Sequence, residues 1–209
     1  MISLFYTLFT IIAYQPTHAQ AISLLFHQAV QQINHPRYPQ AKLNVWSAAP
    51  RSATYWHNVS KALLMKGQRL PNTIQAGNKS APNMLNDNER PNHLPRRKKI
   101  GRSGVTWVAL DGQHQLCGFI NLAIDFNQQG YINHLYVAPQ FSGQGIATQL
   151  LMYAQQWALE QGFLQLTVDA SYLSKALFLK AGFDIIQTSF QHKQQVTLNG
   201  FYMRKALHR

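Results

Sequence analysis

The chain has 209 residues, enough for one domain with a core of its own, and an apolar fraction of 46% excludes global disorder. A formal charge of +12, from 19 Lys plus Arg against 7 Asp plus Glu, favours anionic partners and leaves few carboxylates to receive a strongly cationic one. The single cysteine, Cys117, excludes an intramolecular disulfide and fits a reducing, cytoplasmic setting.

Met1 to Ala13 is apolar. Thr17-His18-Ala19 could pass for a signal-peptidase site, but no Lys or Arg precedes the run, as a secretory signal normally has, and the run is too short to span a bilayer. It reads instead as a first strand over Phe9–Tyr14, ended by Pro16. Thr17 is the expected N-cap of a helix through Asn34, with Ile22, Leu25, Phe26, Ala29 and Ile33 on one face. Shorter helices are expected over Pro39–Trp46 and between Ser52 and Met65, with Trp46 and Trp56 as core anchors. Apolar periodicity fails over Gln68–Arg102, which is rich in Asn, Pro, Gly and basic residues and reads as a long, mobile surface insertion. Its charge run, Arg96-Arg97-Lys98-Lys99 with Arg102, has no interleaved aromatic on which a base would stack. The run reads as a solvated loop ahead of a nucleic-acid or acidic-partner patch.

Order returns with strands at Val105–Leu110 and Leu116–Ile124, joined by the hairpin turn Asp111-Gly112. A third strand is expected over Tyr131–Val137, then a helix from Gly145 to Gln161 stopped by Gly162. A strand at Leu164–Ala170, a short helix at Ser174–Lys180 and two strands, Phe183–Gln191 and Asn199–Lys205, complete the order. That order predicts an α/β (α+β) domain with a mixed, largely antiparallel central sheet flanked by helices.

The chemistry centres on Leu135-Tyr136-Val137-Ala138-Pro139-Gln140-Phe141-Ser142-Gly143-Gln144-Gly145-Ile146-Ala147. A strand ends at Val137, Pro139 blocks its continuation, and a turn with two glycines opens directly into an amphipathic helix. The turn N–H groups, the first unpaired N–H groups of the helix and the helix dipole converge there, as a pyrophosphate requires. A lone Gly-x-Gly would be a plain strand–turn–helix link; the coincidence of strand, proline, glycines and helix makes the signal specific.

These residues resemble the acetyl-CoA signature of the GNAT acetyltransferase superfamily. A second family signature is similar to Asp169-Ala170-Ser171 followed by Lys175, Phe178, Lys180 and Gly182-Phe183. The segments Tyr14–Ile22 and Leu198–Met203 resemble the start and end of a bacterial subgroup with few assigned substrates. The resemblance covers about Ile11–Met65 and Val105–Leu207. It implies an acetyl-CoA cosubstrate held at the phosphates by Ser142, Gly143, Gln144, Gly145, Ile146, Ala147 and Thr148. It also implies that the backbone of Leu135, Tyr136 and Val137 pairs with the pantetheine arm, and that Ser171 touches the cofactor where many members carry Asn. Two departures stand out. Ser142 replaces the usual Gln or Arg, and Phe178 replaces the tyrosine that often protonates the leaving thiolate, a role phenylalanine cannot fill.

Amine acetylation requires a neutral nucleophile, so a proton must leave the ammonium. His134 is the candidate base, since an imidazole titrates near neutral pH. The alternative is a structural histidine hydrogen-bonded between sheet and helix. Strand alternation sets His134 with Ile132 and Tyr136, opposite Asn133 and Leu135. Asn133 stands where some members have a carboxylate base and cannot serve as one. Tyr131 and Tyr172 are possible donors or buried rings. Backbone N–H groups near Tyr136 and Val137 are candidates to polarise the thioester carbonyl. No cysteine pair, His-x-x-x-His or carboxylate cluster has metal-ligand spacing, so no metal is expected. Cys117, in an apolar strand, reads as a small buried side chain.

The reading is an N-acetyltransferase that moves an acetyl group from acetyl-CoA to an amine acceptor in a ternary complex, without a membrane partner, as a monomer or homodimer. A catalytically weak acyl-CoA-binding regulatory module and a basic nucleic-acid-binding protein are the competing readings.

Overall fold

The computed structural model describes residues 9–60, 104–124, 129–193 and 195–208. The segment Gln68–Arg102 and the helix end expected at Met65 lie outside them.

The described residues form a seven-stranded sheet in the order β1-β2-β3-β4-β5-β7-β6. The strands are β1 (Thr10–Ala13), β2 (Gly104–Leu110), β3 (Leu116–Ile124), β4 (Gln129–Val137), β5 (Gln165–Ala170), β6 (Asp184–Lys193) and β7 (Val196–Ala206). Every neighbouring pair is antiparallel except β4 and β5. That parallel pair follows from α4 (Ile146–Glu160), which carries the chain from the end of β4 back to the start of β5. The other helices are α1 (Ala19–Gln31), α2 (Gln40–Trp46), α3 (Ala53–Ser60) and α5 (Lys175–Lys180). The mixed, mostly antiparallel sheet flanked by helices is the one the element order implies.

Two apolar layers cover the sheet. On one face Ile146, Leu150, Leu151 and Ala154 of α4 pack with Ile120, Leu122, Ile132, Leu166 and Phe178. On the other, Ile22, Phe26 and Val30 of α1 pack with Trp56, Val108 and Phe119. Trp56 is fully buried, as its expected anchor role requires. Trp46 is half-buried and packs against the same cluster, with its indole N–H donating to the Tyr136 hydroxyl at 3.0 Å.

The first helix starts differently from the expectation. Thr17 is not its N-cap. Pro16–His18 forms a 3-10 turn in which the Gln15 N–H donates to His18 Nδ1 at 3.0 Å, and α1 begins at Ala19. Pro16 supplies the fixed φ that suits such a start.

The register of β4 carries the main correction. Asn121 of β3 pairs with His134, but the next residue, Leu122, pairs with Ile132. Asn133 is therefore the extra residue of a β-bulge, and the period of two breaks there. Ile132 joins the α4 face, whereas His134 and Tyr136 face α1. Asn133 turns to the α1 face as well, where its Nδ2 donates to Asn121 Oδ1 at 3.1 Å. The fully buried Asn121 donates in turn to Val59 O, Val105 O and Thr106 Oγ1 at 3.0, 3.1 and 2.8 Å. The bulge is thus tied to α3 and β2 by a satisfied buried network.

Candidate functional site

The β4–β5 ladder runs only from the Gln129–Gln165 pair to the Ile132–Val168 pair. Beyond it the two strands diverge, and among the described residues Leu135, Tyr136 and Val137 pair only with β3. Their backbone edge toward β5 is open for an added extended chain. Leu135 and Val137 point their side chains into the α4 layer, so backbone rather than side chain faces the opening.

Past Val137 the chain turns through a 3-10 segment, Pro139–Phe141, into the glycine turn. Gly143 and Gly145 have φ of +77° and +79°, a region that other L-residues rarely adopt. Among the described residues, a Cβ placed at either meets no atom within 4 Å beyond the local backbone, which leaves space at both glycines. The first backbone bond of α4 runs from Gln149 N to Gly145 O at 3.0 Å. The N–H groups of Ile146, Ala147 and Thr148 precede it and have no acceptor within the helix. Ser142, Gln144 and Thr148 are exposed around this concavity. The arrangement fits a pyrophosphate in conformation, in donors and in the sign of the helix dipole. At the start of α5, the Ser171 hydroxyl lies 3.1 Å from that of Ser174 and accepts the Ser174 N–H at 3.2 Å.

On the α1 face the diverging strands open into a cavity of about 450 Å³. His134, Asn133, Tyr136 and Ser171 line it, together with Asp169, Tyr131, Tyr55 and Arg51. His134 is buried among the rings of Phe26, Trp56, Phe119 and Tyr136. Its Nε2 lies 3.0 Å from the Tyr55 hydroxyl. The Tyr136 hydroxyl accepts from Trp46, and burial pushes its phenol well above the ordinary tyrosine range. It therefore stays protonated and acts only as a neutral hydrogen-bonding group. Tyr172 does not reach the cavity wall; its ring carries the Arg37 guanidinium at 4.3 Å and meets Phe201 edge-on. Phe178 is buried against Phe183 in the opposite layer. Cys117 is fully buried, and burial raises its thiol above the usual range, consistent with an inert side chain.

Asp169 was not singled out as a site residue, although its signal was present. Leu166, Val168 and Ala170 alternate into the α4 layer, which puts Asp169 on the cavity face. Tyr131 donates to its Oδ2 at 3.0 Å. Burial pushes the carboxyl above the ordinary aspartate range, opposed by hydrogen bonds from Ser189 and Tyr131. Because the folded pKa exceeds the unfolded one, the stability this group contributes is full at low pH and is lost as pH rises through the folded value. Asp169→Asn is therefore expected to be more thermostable than the parent at neutral pH, with the difference closing on acidification below about pH 4. Thermal unfolding of both proteins between about pH 4 and 8 measures it; a pH-independent difference would show that the carboxyl carries no such burden.

Among the described residues no three His, Cys, Asp or Glu side chains are grouped to hold a metal, and no helix is long and apolar enough to cross a membrane. Comparison with known proteins meets the same site from another direction. The uncharacterized N-acetyltransferase YafP of Escherichia coli K12 is 32% identical over 108 residues, which are 52% of this chain and 64% of that one. This chain thus spans less than two thirds of that curated relative. A GCN5-related N-acetyltransferase from Rhodopseudomonas palustris superposes with a TM-score of 0.66 at 21% identity, over 95% of both chains. The PaiA N-acetyltransferase of Thermoplasma acidophilum, solved in complex with coenzyme A, superposes with a TM-score of 0.60 at 13% identity, over 95% of this chain and 99% of that one. At these identities the structural likenesses speak for the fold alone. The sequence profile of the acetyltransferase (GNAT) family matches residues 77–183, just over half of the chain, a span that holds the divergent strands, the glycine turn and α4. The chain belongs to the GNAT acetyltransferase family.

Proposed function

We propose that the protein is an acetyl-CoA-dependent N-acetyltransferase in which an amine attacks the thioester directly within a ternary complex. The observation that carries this reading is the positive-φ Gly143–Gly145 turn feeding α4, next to a β4 edge that β5 has left open. Ser142 through Thr148 would hold the pyrophosphate, and the backbone of Leu135, Tyr136 and Val137 would hold the pantetheine arm. Ser171 lies at the junction of this arm and the cavity. Acetyl-CoA supplies the activated acetyl carbonyl. Backbone N–H groups near Tyr136 and Val137 polarise that carbonyl in a fixed orientation.

The acceptor occupies the cavity with its ammonium against Asp169. Its proton passes to His134; since Nε2 faces the Tyr55 hydroxyl, that hydroxyl relays it. The amine nitrogen then bonds to the carbonyl carbon, the C–S bond breaks, the thiolate leaves, and the nitrogen gives its second proton to solvent. The thiolate takes its proton from solvent, because Phe178 offers none and lies in the other layer. A reducing cytoplasm fits the single cysteine.

Acetyl-CoA at a hundredfold excess over its Kd is expected to stabilise the protein by about 2.7 kcal/mol, read as a rise in Tm of roughly 5–10 °C. Thiol release with an amine panel then tests transfer. An unchanged Tm at millimolar acetyl-CoA, from folded protein, would remove the assignment.

A further inference from the structure

The connection between α2 and α3 contributes a cation that the reaction does not use. Arg51 lines the same cavity as Asp169 and His134. Its backbone is pinned, since the Ser23 hydroxyl donates to Arg51 O at 2.6 Å. Its guanidinium carbon sits 4.4 Å from the centre of the Tyr55 ring and 5.2 Å from that of Phe26. Those rings hold the guanidinium in place but supply no hydrogen-bond acceptor of the strength a carboxylate has. Among the described residues, the buried Nε–H has no hydrogen-bond partner. A buried guanidinium donor left in this state costs free energy until an acceptor meets it, and an anionic acceptor gives the strongest bond. Asp169, the one acidic side chain among the described residues that line the cavity, is engaged instead by Tyr131.

The geometry points to an acceptor that brings its own anion: a small primary amine bearing a carboxylate, of the α-amino acid type. Its carboxylate is received by Arg51 and its ammonium by Asp169. This rests on the acetyltransferase reading and narrows its substrate class. A planar carboxylate matches the guanidinium fork with two parallel hydrogen bonds. A cavity of about 450 Å³ holds a molecule of that size. The scarcity of acidic residues agrees with it, since a polycationic acceptor would find one carboxylate and a repelling guanidinium.

The test uses matched pairs that differ by the carboxylate alone: L-phenylalanine with 2-phenylethylamine, L-histidine with histamine, and L-lysine with cadaverine. Phosphoethanolamine serves as the phosphate arm. Thiol release from acetyl-CoA gives kcat/KM for each, and calorimetry on the full chain gives binding whether or not turnover occurs. The parent is expected to favour the amino acid of at least one pair by roughly 10- to 100-fold. Arg51→Met is expected to collapse that ratio toward unity, and Arg51→Lys to restore part of it. Acetyl-CoA affinity is measured alongside in each variant. Equal or inverted preference in every pair overturns the proposal, as does binding of none of the amino acids. So does a preference for phosphoethanolamine over all of them, or an Arg51→Met defect that falls on acetyl-CoA binding instead. Amino acid binding that Arg51→Met weakens, in a protein that transfers no acetyl group, would sustain this inference while refuting the transferase reading.

Discussion

Gly145→Val is expected to weaken acetyl-CoA binding by about 100-fold or more, equivalent to about 2.7 kcal/mol, while the protein still folds. A loss of that size corresponds to one or two charge-assisted hydrogen bonds between backbone N–H groups and phosphate. The substitution acts by two routes that can be separated. At φ +79° a β-branched residue strains the backbone, at roughly 1–3 kcal/mol. For a chain of this length that lowers Tm by about 2–4 °C per kcal/mol. The second route is occupation of the space at the turn, where a Cβ meets no atom of the other described residues within 4 Å. Gly145→Asn tolerates the left-handed conformation better yet still projects a side chain into that space. If Asn keeps the parent's Tm and loses binding as Val does, space is what matters. Calorimetry with acetyl-CoA on both variants is the measurement, and parental affinity in folded Gly145→Val would move the phosphate site elsewhere.

That turn was legible in the sequence because everything that specifies it is local. A strand, a proline, two glycines and an amphipathic helix stand in one short stretch, and each acts on the backbone within a few residues of itself. The face of His134 was only half legible. Its company with Tyr136 followed from alternation, but its separation from Ile132 depends on a register shift between β3 and β4. A trace of the shift was present: Ile132, Leu135 and Val137 all belong to the α4 layer, and their spacing of three and then two breaks a strict period. Reading that trace would have put Asn133 and His134 on one face. Arg51 had no local signal at all. It comes from a connection far along the chain from β4 and β5, and its role exists only once the helical layer has folded over the divergent strands. The start of α1 failed for a similar reason of scale, since Thr17 competes with a Gln15–His18 pair whose capping geometry composition does not announce.

The reaction itself is tested at His134. His134→Gln is expected to lower kcat by about 100-fold or more, the low end of what a positioned base contributes, with acetyl-CoA affinity within about twofold of the parent. Glutamine keeps hydrogen-bonding polarity but accepts no proton at working pH. Tyr55→Phe should reproduce most of this loss, because it removes the hydroxyl that faces Nε2 at 3.0 Å and leaves the imidazole in its ring cage. In the parent, the rate should fall on acidification as the imidazole becomes protonated, and that limb should be missing from His134→Gln. A purely structural histidine predicts another pattern. Packed against Phe26, Trp56 and Phe119, it would lose Tm and acetyl-CoA binding together on substitution, and the acid limb would persist. Asp169 provides the remaining control, since it lines the same cavity with a carboxyl pushed upward by burial. If Asp169→Asn abolishes the acid limb and His134→Gln retains it, the proton goes to the carboxylate, and His134 belongs to the wall of the cavity. If His134→Gln abolishes the limb and Asp169→Asn raises only KM for the amine, the two roles divide as proposed, one group holding the ammonium and the other taking its proton.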